Sequence, residues 1–322
     1  MTAGRQTTLR NRAAVSGIGV HSGLPATLTM LPAAADTGIV FVRCGVDGRP
    51  DREVRANVRS VTATEFATVL GNADGPLCAT AEHVLAALAG LGVDNAVIEI
   101  DGPEVPIMDG SAAEFVAAVD RAGVVTLPAP RRYLQILKPV RVAKDDSYGE
   151  LQPYSQGFRI ELEIDFAHPL IGRQRLALDI DPNSFRRELS RARTFGFMRD
   201  VAKLWSAGYA LGASFENTLV INEQRLLNPE GLRFVDEFAR HKALDAIGDL
   251  ALAGAPLLGA YRSVRGGHTL NHAVLSALMA DPSAWTMVEG AEVRRQAPRR
   301  VIRGHADVAT GLVAPAYGPD LS

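Results

Sequence analysis

The sequence predicts an α+β protein made of two related two-layer domains, each with a layer of helices packed on a sheet. Three observations support this class. Short segments rich in β-branched residues indicate strands, mostly apolar segments that end at glycine indicate helices, and the order helix–strand–helix occurs twice after a set of strands. With 322 residues, the chain is long enough for two domains of ordinary size. The recurrence suggests an internal duplication.

The first domain is assigned to residues 1–128. The segments ATLTM and GIVFVR have the composition of strands and lie between Gly, Pro and Asp residues. TAEHVLAALAG predicts a helix with Thr80 as its N-cap and Gly90 as its end, and DNAVIEI predicts the strand that follows. A second helix is predicted from SAAEFVAAVDRAG, because Ser111 and Glu114 have the spacing of a capping box.

The second domain is assigned to residues 133–298, after a linker at residues 129–132. In RIELEIDF apolar and charged residues alternate, which predicts a strand with one buried face. PNSFRRELSRA and MRDVAKLWSAG predict helices, and NTLVIN predicts a short strand. A helix from about Pro229 to Ala253, the strand PLLGAYR and the helix TLNHAVLSALMA then repeat the order of the first domain. Residues 299–322 form a tail in which the apolar residues show no clear periodicity.

Composition and charge argue against several classes of function. The net charge of −2 does not indicate a basic surface that would bind nucleic acid. Two cysteines cannot form a disulfide framework or a four-cysteine metal site, and they favour a reducing compartment. No segment has the roughly 20 apolar residues of a transmembrane helix, and MTAGRQTTLRNRAAV lacks the apolar core of a signal peptide. We therefore expect a cytoplasmic protein without a nucleic-acid partner or a transmembrane segment.

One mostly apolar helix carries three polar side chains on a single face. In ARHKALDAIGDLALAG, His241, Asp245 and Asp249 follow one another at intervals of four residues. Side chains at this spacing are about 5–6 Å apart at Cβ, so His241 and Asp245 can bind one small cation. The simpler interpretation is a solvated polar stripe, but a carboxylate on a buried helix is costly without a partner or a metal.

A hydrolytic zinc site needs a third protein ligand, an open position and a base. In the first turn of TAEHVLAALAG, His83 is a candidate for the third ligand and Glu82 is a candidate for the base. The free amides of the first turn favour an ionised carboxylate. Neighbouring residues of a helix point about 100° apart, so His83 can bind the metal while Glu82 lies beside the bound water. The alternative is an ordinary pair of surface residues.

His268 follows two glycines in RGGH, at the start of the last predicted helix. The strand PLLGAYR returns the chain beside the helix that carries Asp249, and a carboxylate next to the imidazole would favour its protonated form. Such a group can act as a general acid or stabilise an oxyanion. Asp109 of MDGS has the corresponding position in the first half, so both halves can direct a polar group to one junction. The alternative is a loop histidine without a role.

Six segments match one known family in the same order: GIGVHSG, TAEHVLAALAGLGVDN, EVPIMDGSA, SRARTFGFMRD, LRFVDEFARHKALDAIGDL and GGHTLNH. Over about residues 5 to 280 the chain resembles the UDP-3-O-acyl-N-acetylglucosamine deacetylases of lipid A biosynthesis. The resemblance implies two α+β domains whose helix layers face each other, with the active site between them. It also implies zinc-dependent removal of the N-acetyl group from an acylated UDP-amino sugar.

The resemblance implies that Zn²⁺ is bound by His83, His241 and Asp245, and that Glu82 is the general base. His268 would be the protonated partner of Glu82.

Further catalytic positions match the family as well. Asp249 would orient His268, while Thr194 and Lys242 match positions that line the site. Thr194 is the candidate hydrogen-bond donor to the oxyanion, and Phe195 lies beside it.

An insert at residues 195–222 matches the family's passage for the fatty-acyl chain, which is a small strand–helix–strand unit. The candidate acyl contacts are Leu211, Ala213, Phe215 and Val220. Ala213 replaces a common glycine and Ala67 stands where some relatives have cysteine, so the acyl-chain preference stays open.

Phe166 and Arg265 are candidates for the nucleotide end of the substrate, and Asp109 is a further candidate for substrate binding. We expect a monomer that acts on this small-molecule substrate. Two alternatives remain from the sequence: a zinc amidase for a different acetylated amino sugar, and a non-catalytic module whose polar face binds a partner. The second alternative predicts no metal and no effect of chelators.

Overall fold

The structure is a computed structural model that describes residues 4–45 and 50–290, and its mixed α+β fold confirms the predicted class. The predicted tail at residues 299–322 and the last residues of the second predicted domain lie outside the described residues. In the described part of the chain, no helix combines the length and apolar character needed to cross a membrane.

Three sheets and two α-helices form the described part of the first half. One sheet has the strand order β2 (Ala13–Ile18), β3 (Pro25–Pro32), β9 (Ala96–Ile100), β4 (Ile39–Arg43) and β5 (Arg52–Arg55). The others are β6 (Val61–Ala63), β7 (Val69–Asn72) and β8 (Gly75–Cys78), and the pair β1 (Arg5–Leu9) and β10 (Val124–Pro130). The helices are α1 (Glu82–Leu91) and α2 (Ala113–Ala122). In β3, Ala26, Leu28 and Met30 alternate inward, as expected for a strand with one buried face.

A seven-stranded sheet forms most of the second half. Its main path is β12 (Val140–Lys144), β13 (Ser147–Gln152), β18 (Leu257–Val264), β11 (Arg132–Ile136) and β19 (Trp285–Glu289), with β14 (Phe158–Phe166) paired to β18 and to β15 (Gly172–Ile180). The helices are α3 (Pro182–Ser184), which continues as a π-helical turn over Phe185–Leu189, then α5 (Glu237–Ala251) and α6 (His268–Ala280). The predicted alternation in β14 is confirmed, because Ile160, Leu162 and Ile164 are buried.

The insert within residues 195–222 has the expected strand–helix–strand form. Strand β16 (Phe195–Phe197) pairs in parallel with β17 (Leu219–Ile221), and α4 (Val201–Ser206) lies between them in the chain. The predicted helix at MRDVAKLWSAG and the predicted strand at NTLVIN are therefore confirmed in position.

The predicted ends of the helix α1 were wrong. Ala81 is the N-cap, and the hydroxyl of Thr80 donates instead to Glu104 Oε1 at 2.7 Å from a left-handed backbone with φ 57°. The helix continues past Gly90 and ends at Gly92, where φ is 74°. Gly90 leaves space for a neighbouring side chain and does not end the helix, because a Cβ there would lie within 2.6 Å of both Cδ atoms of Phe185.

Two further helix starts differ from the predictions. The helix α2 begins after Ala112 without a capping box, although Ala113 N donates to Ser111 Oγ at 3.1 Å. The helix α5 begins at Glu237 rather than near Pro229. Gly231 has a left-handed φ of 73°, and its carbonyl accepts a hydrogen bond of 2.7 Å from Arg193, so this segment forms a loop.

The segment predicted as a linker, residues 129–132, is extended. Its first two residues end β10 and its last residue begins β11, so only Arg131 lies between the two strands. Arg131 Nε donates to Asp94 Oδ1 at 2.9 Å, and this hydrogen bond joins the connection between β10 and β11 to the first half of the chain.

Candidate metal centre and active site

The helices α1 and α5 are in backbone contact at Gly248. A Cβ at this position would lie 2.7 Å from the carbonyl carbon and 2.9 Å from the Cα of Glu82, and still closer to the carbonyl oxygen. Only glycine permits this contact with the backbone of another helix. The first turn of α1 is therefore held directly against the polar face of α5.

This packing brings together three buried side chains from the two halves of the chain. His83 on α1, and His241 and Asp245 on α5, offer ligand atoms that all lie within 4.8 Å of one another. His83 Nε2 and His241 Nε2 are 3.5 and 3.3 Å from Asp245 Oδ1. The structure thus gathers the three sequence-predicted ligands at one point.

The chemistry of this cluster fits a zinc ion. Asp245 Oδ1 is buried and has no hydrogen-bond partner among the described residues, which is costly for a carboxylate oxygen unless a cation binds it. His241 Nδ1 lies 3.0 Å from the carbonyl oxygen of Ala192, an arrangement that leaves Nε2 as the ligand atom. Burial lowers the pKa of His241 to about 3, so its imidazole is neutral, as a metal ligand must be. Two imidazoles and one carboxylate form a donor set that zinc prefers.

Glu82 lies beside this cluster and has the properties of a general base. It is buried, its Oε2 accepts a hydrogen bond of 3.0 Å from Thr68 N, and its Oε1 is 3.9 Å from His268 Nε2. Burial raises the pKa of Glu82, and the nearby His268 and His83 offset only part of this effect. A buried carboxylate with a raised pKa is a stronger base than a free one.

His268 and Asp249 are in direct contact. His268 Nδ1 is 2.9 Å from Asp249 Oδ2, while His268 Nε2 is 3.9 Å from both Glu82 Oε1 and Asp245 Oδ2. Burial alone would lower the pKa of His268, but the charges of Asp249 and Glu82 outweigh it and raise the pKa to about 9. His268 is therefore protonated at neutral pH and directs an N–H towards the cluster.

The side chains of Lys242 and Phe195 also border the cluster. Lys242 Nζ donates to Asp245 Oδ2 at 3.1 Å and is 5.7 Å from the centre of the Phe195 ring. The Phe195 ring in turn lies edge-on to His241, with 6.4 Å between ring centres. Thr194, the preceding residue, is fixed by its backbone, because its N–H donates to Gly110 O at 2.8 Å and its carbonyl accepts from Leu219 N at 2.8 Å.

The remaining substrate candidates differ in how they relate to the cluster. Phe166 contacts Phe195, with 5.6 Å between ring centres. Arg265, an exposed residue directly after β18, instead forms ion pairs with Asp165 at 2.6 Å and Asp146 at 3.3 Å.

Asp109 is also engaged in an ion pair. It accepts from Arg233 at 2.7 Å and from the hydroxyl and amide of Ser111, and it adjoins Thr194 only through Gly110. Among the described residues, no hydrogen bond or ion pair joins Arg265 or Asp109 to the metal ligands.

The candidate acyl contacts lie on the insert, and the glycines of GIGVHSG hold this insert in place. Leu211 and Phe215 are exposed large apolar side chains, Ala213 is also exposed, and Val220 pairs with Gly196 in the two-stranded sheet. Backbone hydrogen bonds join Leu211 N to His21 O at 3.1 Å and Gly212 N to Val20 O at 3.0 Å. A Cβ at Gly23 would lie 3.2 Å from the carbonyl carbon of Leu211, so the glycine permits this close packing of the two backbones.

Three residues of the site were missed by the sequence analysis: Thr68, Asn271 and Tyr261. The hydroxyl of Thr68 donates to Asp249 Oδ1 at 2.6 Å, and Asn271 Nδ2 donates to Asp249 Oδ2 at 2.8 Å. The buried hydroxyl of Tyr261 donates to Asn271 Oδ1 at 2.7 Å. Asn271 follows His268 by three residues on a helix, a spacing that could have indicated it, whereas nothing in the sequence marks Thr68 or Tyr261.

Comparison with known proteins gives one consistent result. The family model of UDP-3-O-acyl N-acetylglycosamine deacetylase matches residues 6–280. The UDP-3-O-acyl-N-acetylglucosamine deacetylases of Brucella ovis and Brucella canis are both 53% identical over 286 residues, which cover 88% of this chain and 98% of each relative. The protein of the same name from Brucella melitensis is 52% identical over the same length. The chain therefore belongs to the UDP-3-O-acyl N-acetylglycosamine deacetylase family, whose members depend on zinc.

Proposed function

We propose that this chain hydrolyses the N-acetyl group of UDP-3-O-[(3R)-3-hydroxyacyl]-N-acetylglucosamine in lipid A biosynthesis. The products are acetate and UDP-3-O-acyl-glucosamine. The observation that carries the proposal is the convergence of His83, His241 and Asp245 within 4.8 Å, beside a buried carboxylate and a protonated histidine. The name shared by the Brucella relatives supports the choice of substrate.

The metal would be held by His83, His241 and Asp245. Bound zinc would supply a Lewis acid for the acetamide carbonyl and lower the pKa of a water molecule towards about 7. Lys242, whose ammonium group is 3.1 Å from Asp245 Oδ2, helps to keep that carboxylate ionised.

Glu82 and His268 act as the acid–base residues. Glu82 accepts the proton of the attacking water, since the hydrogen bond from Thr68 N fixes its carboxylate and burial raises its pKa. Thr194 and the imidazolium of His268 donate hydrogen bonds to the oxyanion, and each well-aimed donor contributes roughly 2–4 kcal/mol. The C–N bond then breaks, acetate leaves, and the amine takes its proton from His268 or from the protonated Glu82.

The substrate is bound by surfaces next to this centre. We assign the acyl chain to the insert, with Leu211, Ala213, Phe215 and Val220 as its contacts. The exposure of Leu211 and Phe215 supports this assignment, because large apolar side chains gain most when a ligand covers them.

The polar end of the substrate is assigned to the aromatic and charged side chains near Lys242. Phe195 and Phe166 form a connected aromatic surface next to Lys242, which suits a sugar or a base. Arg265 would meet the nucleotide, and Asp109 the sugar, each while engaged with an ion-pair partner.

The domain arrangement is part of the same proposal. We infer an internal duplication in which residues 1–128 and 133–298 form two domains with facing helix layers. The recurring order α1–β9–α2 and α5–β18–α6 and the direct packing of α1 on α5 support it.

We further propose a monomer in the cytoplasm, and the low cysteine content agrees with a reducing compartment. Sedimentation of the purified protein measures the oligomeric state.

Metal analysis combined with acetate release tests the proposed function. We expect one zinc per chain, acetate release from the acylated UDP-sugar, loss of release with a chelator and recovery with added zinc. The matched substrate is UDP-N-acetylglucosamine without the 3-O-acyl chain, which should react far more slowly. Equal rates for the two substrates would favour a different amino-sugar amidase, and release that a chelator leaves intact would contradict a metal-dependent reaction.

A further inference from the structure

Thr68 is a buried residue directly before β7, and all of its polar groups are bound to the active site. Its N–H donates to Glu82 Oε2 at 3.0 Å, and its carbonyl accepts from Ala81 N, at the start of α1, at 3.2 Å. Its hydroxyl donates to Asp249 Oδ1 at 2.6 Å. Only 2% of the residue is exposed, so water does not compete for these bonds.

These contacts connect the two sides of the catalytic centre. Glu82 belongs to the first half of the chain and Asp249 to the second, on helices that meet at Gly248. In the part of the chain that the structure describes, Thr68 alone is hydrogen-bonded to both carboxylates. One residue therefore fixes the position of the base relative to the carboxylate that contacts His268.

We propose that Thr68 is a positioning residue for the deacetylation, and this rests on the proposed function. Its amide holds the carboxylate of Glu82, while its hydroxyl occupies Asp249 Oδ1. The other oxygen, Oδ2, is then turned towards His268 Nδ1 and Asn271 Nδ2. Without the hydroxyl, a buried carboxylate oxygen loses its donor, and the carboxylate can rotate away from the imidazole.

The hydroxyl of Thr68 can be separated from the rest of the residue by substitution. Thr68→Val keeps the shape and the backbone bonds to Glu82 and Ala81 but removes the donor to Asp249. Thr68→Ser keeps the donor and removes only a methyl group. Since Thr68 touches none of the three metal ligands through a hydrogen bond, neither change should alter the zinc content.

The test measures kcat, KM and zinc content for these variants and for Thr62→Val, a control on the same hairpin whose hydroxyl is exposed and donates to Val69 O. For Thr68→Val we expect kcat to fall by about 10- to 100-fold with KM within about twofold, the range for loss of a bond to a supporting carboxylate. Thr68→Ser and Thr62→Val should retain kcat within about threefold.

Unchanged kcat in Thr68→Val would overturn the proposal, as would an equal loss in Thr68→Ser, which would assign the effect to packing. If the valine variant does not fold, Thr68→Ala and Thr68→Ser are compared, since they differ only in the hydroxyl. Equal kcat for that pair also overturns it. A wild-type protein that releases no acetate would instead refute the proposed function, so the two failures are distinguishable.

Discussion

Replacing Gly248 by alanine is expected to disturb the metal centre more than the stability of the fold. In a helix interior this change ordinarily stabilises by about 1 kcal/mol. Here the new Cβ would lie 2.7 Å from the carbonyl carbon and 2.9 Å from the Cα of Glu82. Because these atoms belong to the backbone of α1, they cannot rotate away, and the two helices must separate by about 1 Å to reach ordinary contact.

The two effects of this separation have different sizes. Overpacking costs about 1–3 kcal/mol, so the net destabilisation after the gain in helix propensity is at most about 2 kcal/mol. A displacement of about 1 Å between His83 on one helix and His241 and Asp245 on the other is more serious. Misplacement of this size can cost about 100-fold in rate, so we expect weaker zinc binding and a kcat at least that much lower.

Acetate-release kinetics, zinc affinity and thermal unfolding measure these effects together. The matched control is Gly90→Ala at the other end of α1, where the Cβ would meet the ring of Phe185 instead of the other helix. We expect the control to lose stability but to keep its zinc and its kcat. Wild-type zinc affinity and kcat in Gly248→Ala, or an equal loss of kcat in the control, would refute the role of this helix contact.

Four other perturbations have defined outcomes. His241→Ala should contain far less than one zinc per chain and should be inactive, so full zinc content would contradict its role as a ligand. Glu82→Gln should keep its zinc while kcat falls by about 10²- to 10⁴-fold, and near-normal kcat would exclude Glu82 as the base. Because the active form has a protonated His268 with a pKa raised to about 9, kcat should fall as pH rises through about 9. Asp249→Asn removes a charge that raises this pKa, so the alkaline limb should move to lower pH, and an unmoved limb would contradict the contact.

The sequence predicted local features of the fold well because local patterns determine them. The alternation in RIELEIDF identified the buried face of β14, and the spacing of His241, Asp245 and Asp249 identified one face of α5. Helix ends were less predictable, because tertiary contacts decided them. Thr80 bonds to Glu104 instead of capping α1, and a long-range bond from Arg193 helps to hold the loop before α5.

The supporting residues of the site depend on contacts that no local pattern contains. Thr68 and Asp249 are 181 residues apart in the chain, and their hydrogen bond exists only because β7, α1 and α5 pack together. The closeness of His83 to His241 likewise depends on the packing of α1 on α5 at Gly248. The local pattern supported His241 and Asp245 as a pair and offered His83 as a candidate third ligand, and the family resemblance implied that the three bind one zinc ion.

X-ray diffraction from crystals of the zinc-loaded protein, recorded at the zinc absorption edge, locates the metal directly. We predict one anomalous peak about 2.0–2.2 Å from a nitrogen of His83, a nitrogen of His241 and an oxygen of Asp245. A zinc peak elsewhere in the molecule, or a peak bound by residues of only one helix, would contradict a metal centre shared by the two halves of the chain.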